Sequence, residues 1–169
     1  DDPLWLRASD WILGASGDGP VVDVIGVPSS VASITPSNAR TAPTAFRSAL
    51  AGFSPFDGDR GNDLTGLRIT DRGDLDIDDG SMVASQAGIL DRARELEDVT
   101  IKVFVGGDNA ITRPLVRAIA GDLTAIGVIT LDAHHDVRVL DAGPTNGTPI
   151  RGLIEDGLPG GNVVQIGIH

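Results

Sequence analysis

Within five residues, Asp132-Ala133-His134-His135-Asp136, the chain sets two carboxylates and an imidazole at alternating positions. In an extended segment alternate side chains point the same way, so Asp132, His134 and Asp136 are expected on one side. Carboxylate oxygen and imidazole nitrogen together suit a hard-to-borderline divalent cation, and three such groups can hold one ion or share two. His135 falls out of that alternation and is expected to point away from the ion, in a supporting or packing role. The segment directly follows Ala125-Ile126-Gly127-Val128-Ile129-Thr130-Leu131, an aliphatic, β-branched run of the kind that forms a buried parallel strand. In open α/β sheets, ligand chemistry collects just past the carboxyl ends of the strands. The expected chemistry is that of a metal site.

A second sharp turn, Val105-Gly106-Gly107-Asp108-Asn109-Ala110, ends the preceding strand in sequence. In a right-handed β-α-β crossover both turns emerge at the same edge of the sheet. The paired glycines let the backbone turn tightly and come close to its surroundings. Asp108 is expected to brace this turn through hydrogen bonds to backbone N–H groups. Asp71 and Asp74 follow another strand; pocket lining and turn chemistry explain them equally well.

The elements that must position these turns alternate between strand and helix. Val21 to Val27 reads as the first strand, ended by Pro28 and a Ser-rich loop. Pro43 to Leu50 reads as a helix opening on proline, Gly52 to Gly66 as a loop, and Leu67 to Thr70 as a short strand. Ser81 to Leu96 is the clearest helix: its apolar residues recur at intervals near three and four, and Ser81 suits an N-cap. A strand at Thr100 to Val105, a helix at Thr112 to Ala120 and the strand at 125–131 follow. A Gly/Pro loop from Ala142 to Pro149, a short helix near Ile150 to Glu155 and a strand at 163–168 complete the order. This alternation predicts an α/β fold with a mostly parallel sheet. Residues 1–19, with Trp5, Trp11 and a Gly-rich stretch from Gly14 to Gly19, read as an irregular lead-in or a short helix laid across the domain. Both ends look cut: the chain starts at Asp1 without a methionine and stops at His169 on an interior-looking strand.

At 169 residues the chain fits one domain with room for a core. The formal net charge of −11 disfavours nucleic acid and anionic membrane surfaces, which need a basic face. Cysteine is absent, which excludes disulfides, thiolate ligands and a cysteine nucleophile and fits a reducing compartment. No apolar run approaches the roughly 18 residues of a membrane span, and no signal peptide is visible. A cytoplasmic protein acting on a small molecule is the expectation.

The two turns together resemble the ureohydrolase family of arginases, agmatinases and formimidoylglutamases. Val24-Ile25-Gly26-Val27-Pro28, Ala42-Pro43-Thr44-Ala45-Phe46-Arg47 and Thr70-Asp71-Arg72-Gly73-Asp74 look like that family's opening strand, following helix and second-strand turn. The resemblance covers about residues 20 to 169. It implies a three-layer α/β/α fold truncated on its C-terminal side, a single domain over 1–169, and hydrolysis of linear amidines or guanidines by two Mn²⁺ ions. It further implies that Asp132 bridges the ions while His134 and Asp136 each ligate one. Two such ions about 4 Å apart lower the pKa of a shared water and supply hydroxide near neutral pH. Family members are often trimers or hexamers, so the resemblance also implies a homo-oligomer.

Three departures from the family pattern bear on function. Asn109 stands where the first turn usually carries a metal-binding histidine; its amide oxygen can coordinate but is a weaker donor, and it equally suits a turn or helix cap. The family's Ser-x-Asp-x-Asp turn would lie beyond His169, so the chain by itself is expected to be catalytically incomplete. Asn146, before Gly147-Thr148-Pro149, replaces the substrate-loop histidine of arginases and agmatinases. Formimidoylglutamases also lack that histidine and keep an arginine close by, which makes their branch the nearest. Arg138 or Arg151 is expected to pair with a substrate carboxylate. The leading expectation is release of formamide from N-formimidoyl-L-glutamate in histidine breakdown. Alternatives are an agmatinase or guanidino-acid hydrolase releasing urea, and a non-catalytic α/β relative with an incomplete metal site. A nucleotide-binding Rossmann-type domain fits poorly, because Pro28-Ser29-Ser30 replaces a glycine-rich phosphate turn and Asp108 would repel phosphate.

Overall fold

The aliphatic run Val21–Val27 (β1) forms the centre of a three-stranded parallel sheet in the computed structural model, which describes residues 5–14 and 21–169. Except for Gly14, the glycine-rich stretch expected to lead into this strand lies outside the described residues. A short helix, Ala8–Gly14 (α1), precedes it, and Ala8 and Ile12 are buried. Helix Ala42–Leu50 (α2) opens on proline as expected. Phe56–Asp57 (β2) and Asn62–Asp63 (β3) form a small antiparallel hairpin inside the segment read as a plain loop. Arg68–Asp74 (β4) then pairs with β1 in parallel. The Ser81 hydroxyl accepts a hydrogen bond from the Ala84 amide and caps helix Met82–Arg94 (α3). Ile101–Gly106 (β5) flanks β1 on the other side.

The second half holds helix Thr112–Ala120 (α4), Val128–Leu131 (β6), helix Pro149–Glu155 (α5) and Val163–Ile166 (β7). Strand β6 is shorter than the run that suggested it, because Leu123–Ala125 is a 3-10 turn capped by the Asp122 carboxylate. Strand β7 stops at Ile166 because Gly167 takes a φ of 89°, which leaves the extended region. β6 and β7 pair with each other in parallel, in a sheet separate from β4-β1-β5. Among the described residues no ladder joins β5 to β6.

One apolar cluster holds α3 and α4 against the larger sheet. Ile25 and Val27 of β1 meet Leu75, Ile89, Ala93, Ile111 and Leu115, with Phe104 of β5 packed beside them. On the opposite face Gly26 allows α2 to approach; a Cβ there would lie 2.9 Å from Pro43 Cβ and 1.9 Å from Asp74 Oδ1. Helices on both faces explain why β1 is apolar along almost its whole length. α4 is tied to α5 by the Arg113 guanidinium, which donates twice to Asp156 at 2.8 Å. Among the described residues no helix is long and apolar enough to cross a membrane.

The expected short strand at Leu67 to Thr70 instead runs on to Asp74, through the acidic stretch read as its turn. Arg47 of α2 makes this possible. Its guanidinium grips Asp71 from Nε (2.6 Å) and Nη2 (2.8 Å) and reaches Asp74 from Nη1 (2.6 Å). This fork holds the Asp71 carboxyl below the usual carboxylate range, although partial burial opposes it. A depressed folded-state pKa contributes stability that is complete above the unfolded value near 4 and is lost as pH falls through the folded value. Asp71→Asn is therefore expected to cost about 2 kcal/mol at pH 7. The gap between the two proteins should close as pH drops through 4 toward 2, as read from urea midpoints. A gap independent of pH would show that the charge on Asp71 is not what Arg47 stabilises.

Candidate metal centre

Both sharp turns open at the carboxyl edges of their strands and border one pocket of about 580 Å³. The first is built on backbone contact. A Cβ at Gly107 would sit 1.7 Å from the Ser29 carbonyl oxygen, so only glycine lets the turn lie against the loop that follows β1. The Gly107 amide donates to Val27 O and the Asp108 amide to Ser29 O, both at 2.9 Å. Asp108 is buried; its carboxylate accepts from the Ala110 amide (3.0 Å) and the Ser33 hydroxyl (3.0 Å). Burial pushes its carboxyl up, against the pull of those hydrogen bonds. Asp108 thus joins two loops from inside and does not line the pocket.

The second turn is not the extended segment that the alternation suggested. Asp132 curls back so that its Oδ1 accepts from the His134 amide at 2.8 Å and lies 3.1 Å from the His134 ring Nδ1. That amide bond is the main reason its carboxyl is held low. Asp136 has a φ of 54°, a left-handed conformation that costs a non-glycine residue energy and must be held by its surroundings. Its carbonyl accepts from the Ile150 (3.1 Å) and Arg151 (3.2 Å) amides at the start of α5, satisfying N–H groups that the helix itself leaves free. Its Oδ2 accepts from Asn109 Nδ2 at 2.6 Å. Partial burial and the neighbouring Asp132 charge push the Asp136 carboxyl up. His135 turns its Nδ1 to Gln165 Oε1 on β7 at 2.9 Å, and Gln165 returns a bond to the His135 carbonyl at 3.0 Å.

Asp132, His134, Asp136, Asn109, Asn146 and Arg138 all line this pocket. Asn146 is also committed elsewhere: its backbone N–H donates to Ala32 O (2.9 Å) and its side-chain Oδ1 accepts from the Ile34 amide (3.2 Å). The Arg138 stem lies against Gly147, where a Cβ would come within 2.8 Å of Arg138 Cδ. Among the described residues its guanidinium has no carboxylate partner. Arg151 does not border the pocket; it pairs with Glu155 one turn along α5. Sequence reading gave His169 no role, yet it borders the pocket and its amide donates to Ala133 O at 3.1 Å. The signal was available, since β7 is parallel to β6 and its carboxyl end reaches the same edge.

The donor types fit a divalent cation: two carboxylates and an imidazole from one turn, in an acidic pocket. Their arrangement is not a closed ligand shell. Among the described residues no three His, Asp or Glu side chains are gathered closely enough to hold an ion. Asp132 is spent on its own turn and Asp136 on Asn109.

Known proteins place this geometry in a family. The Arginase family matches residues 21–169. A formimidoylglutamase of Halalkalibacterium halodurans is 43% identical over 160 residues, covering 90% of this chain and 50% of the relative. The solved formimidoylglutamase of Bacillus subtilis superposes with a TM-score of 0.87 at 34% identity, over 99% of this chain and 54% of that one. A Mn²⁺-containing formiminoglutamase of Trypanosoma cruzi gives a TM-score of 0.77 at 25% identity, over 100% and 58% of the two chains. This chain spans about half the length of the curated relatives it matches. With the two turns bordering one pocket and this match across both, the chain belongs to the arginase family of hydrolases.

Proposed function

We propose that this chain carries the metal-binding turn and the substrate arginine of a Mn²⁺-dependent amidine hydrolase whose substrate is N-formimidoyl-L-glutamate. The observation that carries the substrate is Arg138, a guanidinium without a carboxylate partner among the described residues, in the pocket of Asp132, His134 and Asp136. Such a group pairs with a carboxylate and repels a second cation. It favours a substrate that joins an amidine to an acid and disfavours agmatine, which is cationic throughout. Relatives named formimidoylglutamase support the same substrate. A guanidino acid satisfies Arg138 equally and is the second reading, favoured by the similarity to a guanidinopropionase of Pseudomonas aeruginosa, 35% identical over 108 residues.

In this reading Asp132, His134 and Asp136 would hold the manganese, whose bound form would acidify water and supply hydroxide near neutral pH. The chain's own part would be to supply these ligands from one turn and to fix the substrate by its carboxylate. Oxygen from water bonds to the amidine carbon and the bond from that carbon to the glutamate nitrogen breaks; of the two water protons, one leaves on the amine and the other goes to the imino nitrogen. The products are formamide and glutamate.

Calorimetric titration tests the metal reading directly. The chain is expected to bind Mn²⁺ and Asp132→Asn to abolish that binding; no binding by the unaltered chain at millimolar Mn²⁺ would leave the non-catalytic reading. Product release tests the substrate. With the second half of the Bacillus subtilis relative supplied as a separate polypeptide, formamide should form from N-formimidoyl-L-glutamate. Urea from 4-guanidinobutyrate without formamide would move the assignment to the guanidino acids. In the same assay Arg138→Ala should raise KM roughly 10- to 100-fold with kcat little changed, the loss of one charge-assisted pair. An unchanged KM would remove Arg138 from the site.

A further inference from the structure

Asn109 has two ends, and the structure shows where each goes. Its Nδ2 donates to Asp136 Oδ2 at 2.6 Å and to the Asn146 carbonyl at 3.4 Å. Its Oδ1 accepts from the Thr112 hydroxyl at 2.9 Å. The amide therefore bridges the first turn, the second turn and the loop at Asn146, with its oxygen facing away from Asp136. A cation beside Asp136 meets N–H groups there, not the oxygen a metal needs. Turning the amide over would bring the oxygen to the ion but would leave the Thr112 hydroxyl hydrogen without its acceptor. Thr112 begins α4, so its position is set by the helix that packs into the main core.

We infer that Thr112 is a positioning residue: its hydroxyl holds Asn109 as a hydrogen-bond donor to Asp136 and so withholds the Asn109 oxygen from the metal. The inference rests on the metal reading above and extends it to a residue outside the ligand set. It assigns the strength of metal binding in this pocket to the first turn of α4 as well as to the ligands. The Asn109 amide and the α5 amides hold the left-handed Asp136 from two sides.

Mn²⁺ affinity measured on the full chain tests it. Thr112→Val frees the Asn109 oxygen and should lower the Mn²⁺ Kd roughly five-fold, the worth of one hydrogen bond. Thr112→Ser keeps the hydroxyl and should match the original chain. In an Asn109→Ala background Thr112→Val should have no effect, because the coupling runs through the amide. A Kd for Thr112→Val that is unchanged or weaker, at an unchanged melting temperature, would overturn the inference. So would an equal effect in the Asn109→Ala background. Should the original chain bind no Mn²⁺ at millimolar concentration, the metal reading fails while the positioning role is still decided by NMR. The Asn109 side-chain N–H₂ resonances of the metal-free chain should move between the original protein and Thr112→Val, and return in Thr112→Ser. Resonances that stay in place overturn it.

Discussion

Among the described residues no ladder joins the two parallel sheets, so something other than strand pairing must hold them in register. That work is shared between the packing of α5 against α4, where Ile150 and Leu153 are buried, and a few polar ties. Asn109, at the end of β5, donates to Asp136, beyond the end of β6. Asn146 donates to Ala32 and accepts from Ile34, joining the loop after β1 to the loop before α5. Behind them Arg113 of α4 grips Asp156 after α5. Each tie crosses from one sheet's elements to the other's, and two of the three border the pocket. The candidate metal centre therefore lies where some of the contacts that join the halves of the fold are made.

The electrostatics of the two aspartates follow from this arrangement. Asp132 faces an N–H donor from its own turn, which holds its carboxyl low, whereas Asp136 is partly buried beside the Asp132 charge and is pushed up. Two like charges near one another with few compensating cations form a field that a divalent ion would relieve. Asn109 eases the repulsion with a neutral N–H. An imidazole in its place would offer a lone pair to an ion instead. What the Asn109 amide contributes here is a hydrogen-bond donor that steadies its neighbour.

Much of this was legible beforehand for a physical reason. Strands β1 and β5 are apolar runs bounded by proline and glycine, α3 carries its own N-cap, and α2 opens on proline. These are local signals, and the tertiary structure agrees with them. The acidic stretch Asp71 to Asp74 read as a turn because nothing near it in sequence explains a strand of carboxylates. The explanation is Arg47, twenty-four residues earlier, whose fork neutralises it across the sheet. The hairpin of β2 and β3, two residues to each strand, leaves almost no pattern to read.

For the site, residue types and the spacing of the two turns determined which chemistry is available: carboxylate and imidazole donors at strand ends, an amide in place of an imidazole, and arginines within reach. Spacing alone could not set the direction of each side chain, because that depends on partners distant in sequence. Asp136 leaves the extended geometry since its carbonyl and carboxylate are claimed by α5 and Asn109. Arg151 leaves the pocket since Glu155 lies one helical turn away. Arg138 stays in it since Gly147 has no side chain to displace its stem. The sequence by itself determined the family, the placing of both turns at strand ends and the donor set; that their strands lie in separate sheets showed only in the fold. Only the tertiary structure decided which donors face the pocket, because hydrogen bonds and close packing across separate elements choose among rotamers that local sequence leaves equivalent.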